Sequence, residues 1–428
     1  MKKSSYNQVK FYDHKKTNFT AAYKYTFQYR EVVMADFLNC CWCILPTLQS
    51  NKMKNLLFLV AFVIIAILSS CKDEFDLVPD PDEVIEIPGY DEFGGISPVK
   101  INNSNQVIGY YGGLVPEAST DLLDFGETAV GFVVNADGSG FTDLTEPGHL
   151  ATWPHDINDQ GLIVGEYLPE GTYDSSFLPG YAFSKEASGE NFKTLHPEWA
   201  WKSSATHITN SGQIVGTYST TELGSVACIF QEDTAIALLD TVAMPYSELH
   251  AVNETFAIIY ANDGEKYHYF SYRFDDESVT RLEITSEMAD FSGFHDINEQ
   301  HLAVGFYIDL SVSELAIGWI YNLETHTLQT YQEENTQGKH NYLEYNFIGI
   351  NESGTIVGWS GRDFSNLLQL RAMTINADFT DFRDITPENS EIYSEMVSIN
   401  DQGLALGTLG LPRKNNGVAT KIMLLEFF

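Results

Sequence analysis

Ile157-Asn158-Asp159-Gln160-Gly161-Leu162-Ile163-Val164-Gly165-Glu166-Tyr167 is a phrase this chain repeats. It returns as Ile208-Thr209-Asn210-Ser211-Gly212-Gln213-Ile214-Val215-Gly216-Thr217-Tyr218. Two further copies run Ile350-Asn351-Glu352-Ser353-Gly354-Thr355-Ile356-Val357-Gly358 and Ile399-Asn400-Asp401-Gln402-Gly403-Leu404-Ala405-Leu406-Gly407. Looser copies open at Ile101, Val252 and Ile297, and the steps between successive copies are 56, 51, 44, 45, 53 and 49 residues. A period near fifty residues marks a solenoid, an array or a propeller.

Each copy reads as two short strands joined by a tight turn. Ile157 closes one strand, and Ile163 and Val164 open the next, because β-branched residues suit a pleated, half-buried surface. The intervening Asn-Asp-Gln-Gly is turn chemistry: Asn bonds its own backbone two residues on, and the closing Gly supplies a positive φ. Gly161, Gly212, Gly354 and Gly403 hold that place, and Asn105 holds it in the first copy. His301 and Phe256 depart from the pattern, so different turns are expected in the fifth and fourth copies. A second glycine (Gly109, Gly165, Gly216, Gly305, Gly358, Gly407) falls inside a strand, where it marks a bulge or a close backbone approach. Tyr260 stands in its place in the fourth copy.

A second apolar hairpin follows each copy, as in Gly131-Phe132-Val133-Val134, Gly180-Tyr181-Ala182-Phe183 and Ala316-Ile317-Gly318-Trp319-Ile320-Tyr321. Two hairpins give four strands per unit, which is one propeller blade. The expected fold is therefore all-β, a seven-bladed β-propeller with four strands per blade. The seventh unit ends early, with only Lys421 to Phe428 after its first hairpin. An unpaired edge would invite aggregation, so Glu83-Val84-Ile85-Glu86-Ile87 is expected to complete the last blade and close the ring.

Residues 1–52 are basic, hold three of the five cysteines and carry no repeat, and are expected to be an extension from a start codon assigned too early. From Met53 the order is Lys54, an apolar run from Leu56 to Leu68, then Leu68-Ser69-Ser70-Cys71, the order of a secretion signal over 53–70. The run is short for a span of about 20 residues. Leu-Ser-Ser-Cys resembles the lipobox of bacterial lipoproteins, which implies lipidation of Cys71 and membrane attachment through it. Lys72-Asp73-Glu74 resembles the signal that sends some lipoproteins to the outer face of the outer membrane, implying an outer-membrane, cell-surface location. Residues 71–82 read as an acidic tether and 83–428 as the propeller.

From Cys71 onward the chain carries 15 basic and 56 acidic residues. Such a surface repels nucleic acid and anionic lipid, and is compatible with cations, basic partners or neutral glycans. Cys228 sits in an apolar strand, where an inert buried thiol is expected. No HExxH, GxSxG, Walker A or EF-hand signature occurs, so no catalytic residue and no cofactor is nominated.

Two constellations qualify as candidate sites. His155, His250 and His295 each lie two places before the residue opening a copy, with His207 one place off, so the repeat would gather these imidazoles at the channel as a ligand or metal ring, or as groups satisfying the neighbouring backbone. Aromatic residues enter each copy, including Trp153, Trp199, Trp201, Tyr246, Phe294 and Tyr345. Rings beside carboxylates suit sugar faces, whereas buried rings would wedge between blades.

The repeat resembles the HAF-type extracellular repeat, whose units carry an Ile-Asn-x-x-Gly-x-x-Val-Gly core followed by an aromatic-rich strand. The core matches best at residues 157–167, 208–218, 350–358 and 399–407, and Tyr181-Ala182-Phe183 is close to the following strand. The resemblance implies a secreted or surface repeat protein and assigns no functional residue. The expected function is a lipid-anchored binding module for glycan or protein. The alternatives are an extracellular glycosidase or lyase and a structural component of a surface complex.

Overall fold

In a computed structural model the described residues are 83–85, 96–112, 129–171, 179–231, 234–284, 292–308, 316–331, 344–361, 370–387, 393–412 and 418–427. The expectations for residues 1–52, 53–70 and 71–82, with Cys71, fall outside them.

The strands form seven four-stranded antiparallel sheets, so the fold is the expected seven-bladed propeller. The innermost strands are Ile96–Ile101, His149–Ile157, Lys202–Ile208, Tyr246–Val252, Ser292–Ile297, Glu344–Ile350 and Tyr393–Ile399, which open blades one to seven. Six blades are built from consecutive strands. In the seventh the fourth strand is Glu83–Ile85, paired with Val418–Glu426 in the register Glu83↔Leu424, Val84↔Met423 and Ile85↔Ile422. Glu83–Ile85 closes the ring as expected, and the expected continuation through Glu86 and Ile87 lies outside the described residues.

The turn of each copy lies between the inner and second strands. Gly161, Gly212, Gly354 and Gly403 have φ of 78°, 89°, 82° and 80°, and Asn105 has 58°. The fifth copy does not differ, contrary to expectation: His301 takes φ 61° and donates its N–H to the Asn298 carbonyl at 3.0 Å, as Gly161 does to Asn158. His is among the residues that reach the left-handed region. The fourth copy does differ. Its strands pair Val252↔Ala257 where the second copy pairs Ile157↔Ile163, so its turn is one residue shorter.

That shortening corrects a second assignment. Every inner strand carries a β-bulge, and the bulged residues are Val99, His155, Thr206, His250, His295, Ile348 and Val397. The strand glycine sits opposite the residue before the bulge, as in Pro154↔Gly165. In the fourth blade that partner is Ile259, facing Leu249, and not Tyr260. The bulge pushes the inner backbone toward its neighbour: a Cβ on Gly165 would collide with the Trp153 carbonyl oxygen and stand 2.8 Å from the Phe183 ring.

The core is distributed between blades. One cluster joins Ala251, Ile258 and Tyr269 of blade four to Phe294, Trp319 and Tyr321 of blade five, and another joins Ile101 and Phe132 of blade one to Leu406 and Ile422 of blade seven. Cys228 is fully buried, and burial pushes its thiol up.

Candidate functional site

In a β-bulge the extra residue breaks the alternation of the strand and re-aims the pair it forms with its successor. The pairs are Val99-Lys100, His155-Asp156, Thr206-His207, His250-Ala251, His295-Asp296, Ile348-Gly349 and Val397-Ser398. The repeat thus brings His155, His207, His250 and His295 onto one arc over blades two to five, and the aliphatic Val99, Ile348 and Val397 complete the circle. Lys100 reaches across from blade one to blade five, its Nζ 3.6 Å from Asp296 Oδ1. Asp296 and then Asp156 hold that ammonium up to about 12 against the cost of burial. Asp156 and Asp296 also accept the Ile208 and Ile350 N–H groups of the following blades at 2.9 and 3.0 Å.

Burial holds the imidazoles in the neutral form. It pushes His207 down to about 3, with help from Lys100, and His250 down to about 4. His155 shifts in the same direction for the same first reason, and the protein surrounding His295 lowers it too, although its side chain is exposed. His250 Nδ1 accepts the Phe294 N–H at 3.3 Å, which leaves its Nε2 as the protonated nitrogen. Among the described residues no three His, Cys, Asp or Glu side chains gather in a geometry that could hold a metal ion. Among the described residues, Asp156, Asp296, His250 and Ser398 of these pairs accept backbone N–H groups of the next blade, beside the Lys100 ammonium and the aliphatic Val99, Ile348 and Val397.

Below the bulges the turns link the blades in two hydrogen-bonded rings. In the first, the turn asparagine donates Nδ2 to the matching carbonyl of the next blade: Asn102 to Asn158, Asn158 to Thr209, Asn253 to Asn298, Asn298 to Asn351, Asn351 to Asn400 and Asn400 to Asn102, at 2.7–3.2 Å. In the second, the residue after it donates its backbone N–H to the matching side chain of the next blade, as Glu299 does to Glu352 at 2.7 Å and Asp401 to Asn103 at 2.8 Å. The acids of that ring were not nominated from sequence, although their fixed place after the turn residue was a usable signal.

The aromatic candidates separate into three groups. Phe294 is 2% exposed and Tyr345 fully buried, so both leave the set of surface rings. Phe294 packs edge-on 5.1 Å from Tyr269 of blade four and Tyr345 edge-on 4.8 Å from Tyr331 of blade five, in the wedge between blades. Trp153 and Tyr246 are half-buried, the first against the cluster of Ala129, Ala151 and Leu168 and the second edge-on to Tyr267. Trp199 and Trp201 are 51% and 37% exposed on the connection entering blade three. Trp199 stands edge-on to Tyr218 at 4.7 Å, and Trp201 donates its Nε1–H to the Thr220 carbonyl at 3.2 Å. Beside them Lys202 Nζ lies 3.7 Å from Glu166 Oε1.

Seven four-stranded blades around a polar lumen define the class of protein, a β-propeller. No family model matches the chain, and no curated protein matches it. Solved structures do. The chain is similar to a prolyl endopeptidase at 11% identity and TM-score 0.51, covering 80% of this chain and 49% of that one. It is also similar to the β-propeller domain of the Trilobed protease from Pyrococcus furiosus, at 8% identity and TM-score 0.48, covering 78% and 93%. An oligogalacturonate lyase from Vibrio parahaemolyticus matches at 10% identity and TM-score 0.46, covering 81% and 92%. At 11% identity the likeness to the prolyl endopeptidase is one of fold alone, and the chain spans about half the length of that protein.

Proposed function

We propose that this chain is a lipid-anchored propeller of the bacterial outer surface that binds neutral glycan through blade three. The observation that carries the reading is the pair Trp199 and Trp201, two large rings kept half in water on one connection. Burial of an indole is strongly favourable, and their buried counterparts Phe294 and Tyr345 had that option. Indole faces stack on the apolar face of a sugar ring, and the neighbouring Thr220, Glu166 and Lys202 offer hydroxyl, carboxylate and ammonium partners for its hydroxyls. The large acidic excess disfavours polyanionic polysaccharides. Anchoring rests on the lipobox-like Leu68-Ser69-Ser70-Cys71 and the surface location on Lys72-Asp73-Glu74. The HAF-like core agrees with a secreted repeat protein.

The test is a neutral-glycan array probed with residues 72–428, followed by Trp fluorescence titration of a positive sugar. Trp199→Ala and Trp201→Ala should each weaken binding by at least about tenfold, the size expected for one stacking ring. Binding unaffected by both substitutions sinks the site. Mass spectrometry of membrane-extracted protein should find a lipidated peptide starting at Cys71, and an intact peptide from residues 1–52 would refute the anchor.

A further inference from the structure

We propose that the joint between blades three and four is the point at which this ring opens, and that the strand-closed joint at blade seven is not. Three observations converge on it. Thr209 occupies the place of the turn asparagine in blade three, so the first ring of hydrogen bonds is made at six joints and missing at this one. Thr209 reproduces only the acceptor half of the asparagine, its Oγ1 taking the Gln213 N–H at 3.0 Å as Asn158 Oδ1 takes the Leu162 N–H at 2.9 Å. It has no amide to send across.

The receiving side is altered as well. In the other six turns the carbonyl of the asparagine or threonine accepts an N–H from its own turn, such as Gly161 to Asn158 at 3.0 Å and Gly403 to Asn400 at 3.1 Å. The blade-four turn is one residue shorter: it keeps the bond from Asn253 N–H to the Phe256 carbonyl, the counterpart of Asn158 N–H to the Leu162 carbonyl, and lacks the turn bond to the Asn253 carbonyl. The Asn253 carbonyl therefore receives neither of the two hydrogen bonds its counterparts receive, although Asn253 is 5% exposed. A carbonyl that loses both donors, in a residue so little exposed, weakens the contact at this joint. Finally, the second ring crosses this joint out of step. Glu254 takes the N–H of Ser211, at 3.1 and 3.3 Å to its two oxygens, where the pattern elsewhere would use Asn210.

The joint at blade seven is built in the opposite way. Asn400 Nδ2 donates to the Asn102 carbonyl and to Asn105 Oδ1, Asp401 and Asn103 exchange two hydrogen bonds, and Gln402 Nε2 adds one to the Asn103 carbonyl. The place where chain start and chain end meet is thus the most densely bonded at the inner turns, and the ring yields where the covalent chain runs on through it.

Native-state hydrogen exchange on the full chain, read by mass spectrometry, tests this. Peptides covering 209–216 and 251–259 should exchange at least about tenfold faster than those covering 101–107 and 399–407. Thr209→Asn supplies the missing amide and should slow 209–216 and 251–259 toward the rates of the other joints while leaving 399–407 unchanged. Asn351→Thr copies the gap into the joint between blades six and seven and should create a second fast region at 351–357 and 400–406. Uniform exchange around the ring, fastest exchange at 399–407, or no response to either substitution overturns the proposal.

Discussion

The strand glycines show how one hydrogen atom's worth of space is set by backbone geometry. Because the bulge presses an inner carbonyl onto the glycine opposite, Gly165→Ala must push two strands apart or expel the Phe183 ring. We expect a loss of about 1–3 kcal/mol, measured by urea denaturation; a change below about 0.5 kcal/mol would show that the bulge relaxes freely. The lumen histidines supply a second prediction at this scale. His207 and His250 are held at about 3 and about 4, below the ordinary imidazole value near 6.5. The unfolded chain therefore takes up protons first as pH falls. Their effect on stability is nil above about pH 6.5 and becomes a growing penalty from there down through 4 and 3. Unfolding free energy measured between pH 7 and 4.5 should fall, and His250→Gln should flatten the slope. An equal slope in the variant would remove His250 from the account.

At the scale of the element, the turn asparagine does two tasks with one side chain. Asn298 Oδ1 accepts the Gln300 and Leu302 N–H groups within its turn, and its Nδ2 donates to the Asn351 carbonyl of the next blade. Asn298→Ala removes both, leaving the part-buried Gln300 and Leu302 N–H groups without their side-chain acceptor and the Asn351 carbonyl with Gly354 as its donor, a loss of about 2–3 kcal/mol. Asn298→Thr keeps the acceptor alone, as Thr209 does naturally, and should lose less. If the two variants unfold at the same denaturant concentration, the inter-blade bond contributes nothing.

For the whole molecule, closure depends on three residues far from the rest of their blade in sequence. Deleting Glu83–Ile85 exposes the edge of Val418–Glu426 and unpairs the seventh sheet from the first stretch of the propeller. The melting temperature should drop by about 5 °C or more, with a concentration-dependent tendency to associate, read by scanning calorimetry and light scattering. An unchanged melting point would mean that the inner-turn hydrogen bonds suffice to hold the ring.

Blade number, strand order and the closing strand were legible in the chain because they arise from local rules. A turn needs Asn and a left-handed residue at set positions, a pleated strand alternates every two residues, and both signatures recur with each copy. Even the bulge announced itself through the interior glycine. The shorter turn of blade four, and with it Ile259 in the glycine's place, was hidden because Val252 to Tyr260 has the same length as Ile157 to Gly165. Only the fold decided which aromatic rings lie in water and which polar groups share the lumen. Trp199 and Phe294 look alike as apolar residues before a repeat, but burial depends on neighbours contributed by other blades. Lys100 and Asp296 meet at 3.6 Å across nearly two hundred residues of chain, and no period of two or of fifty encodes that encounter. It exists because seven twisted sheets can bury their faces only by turning through a full circle, which brings distant inner strands around one axis.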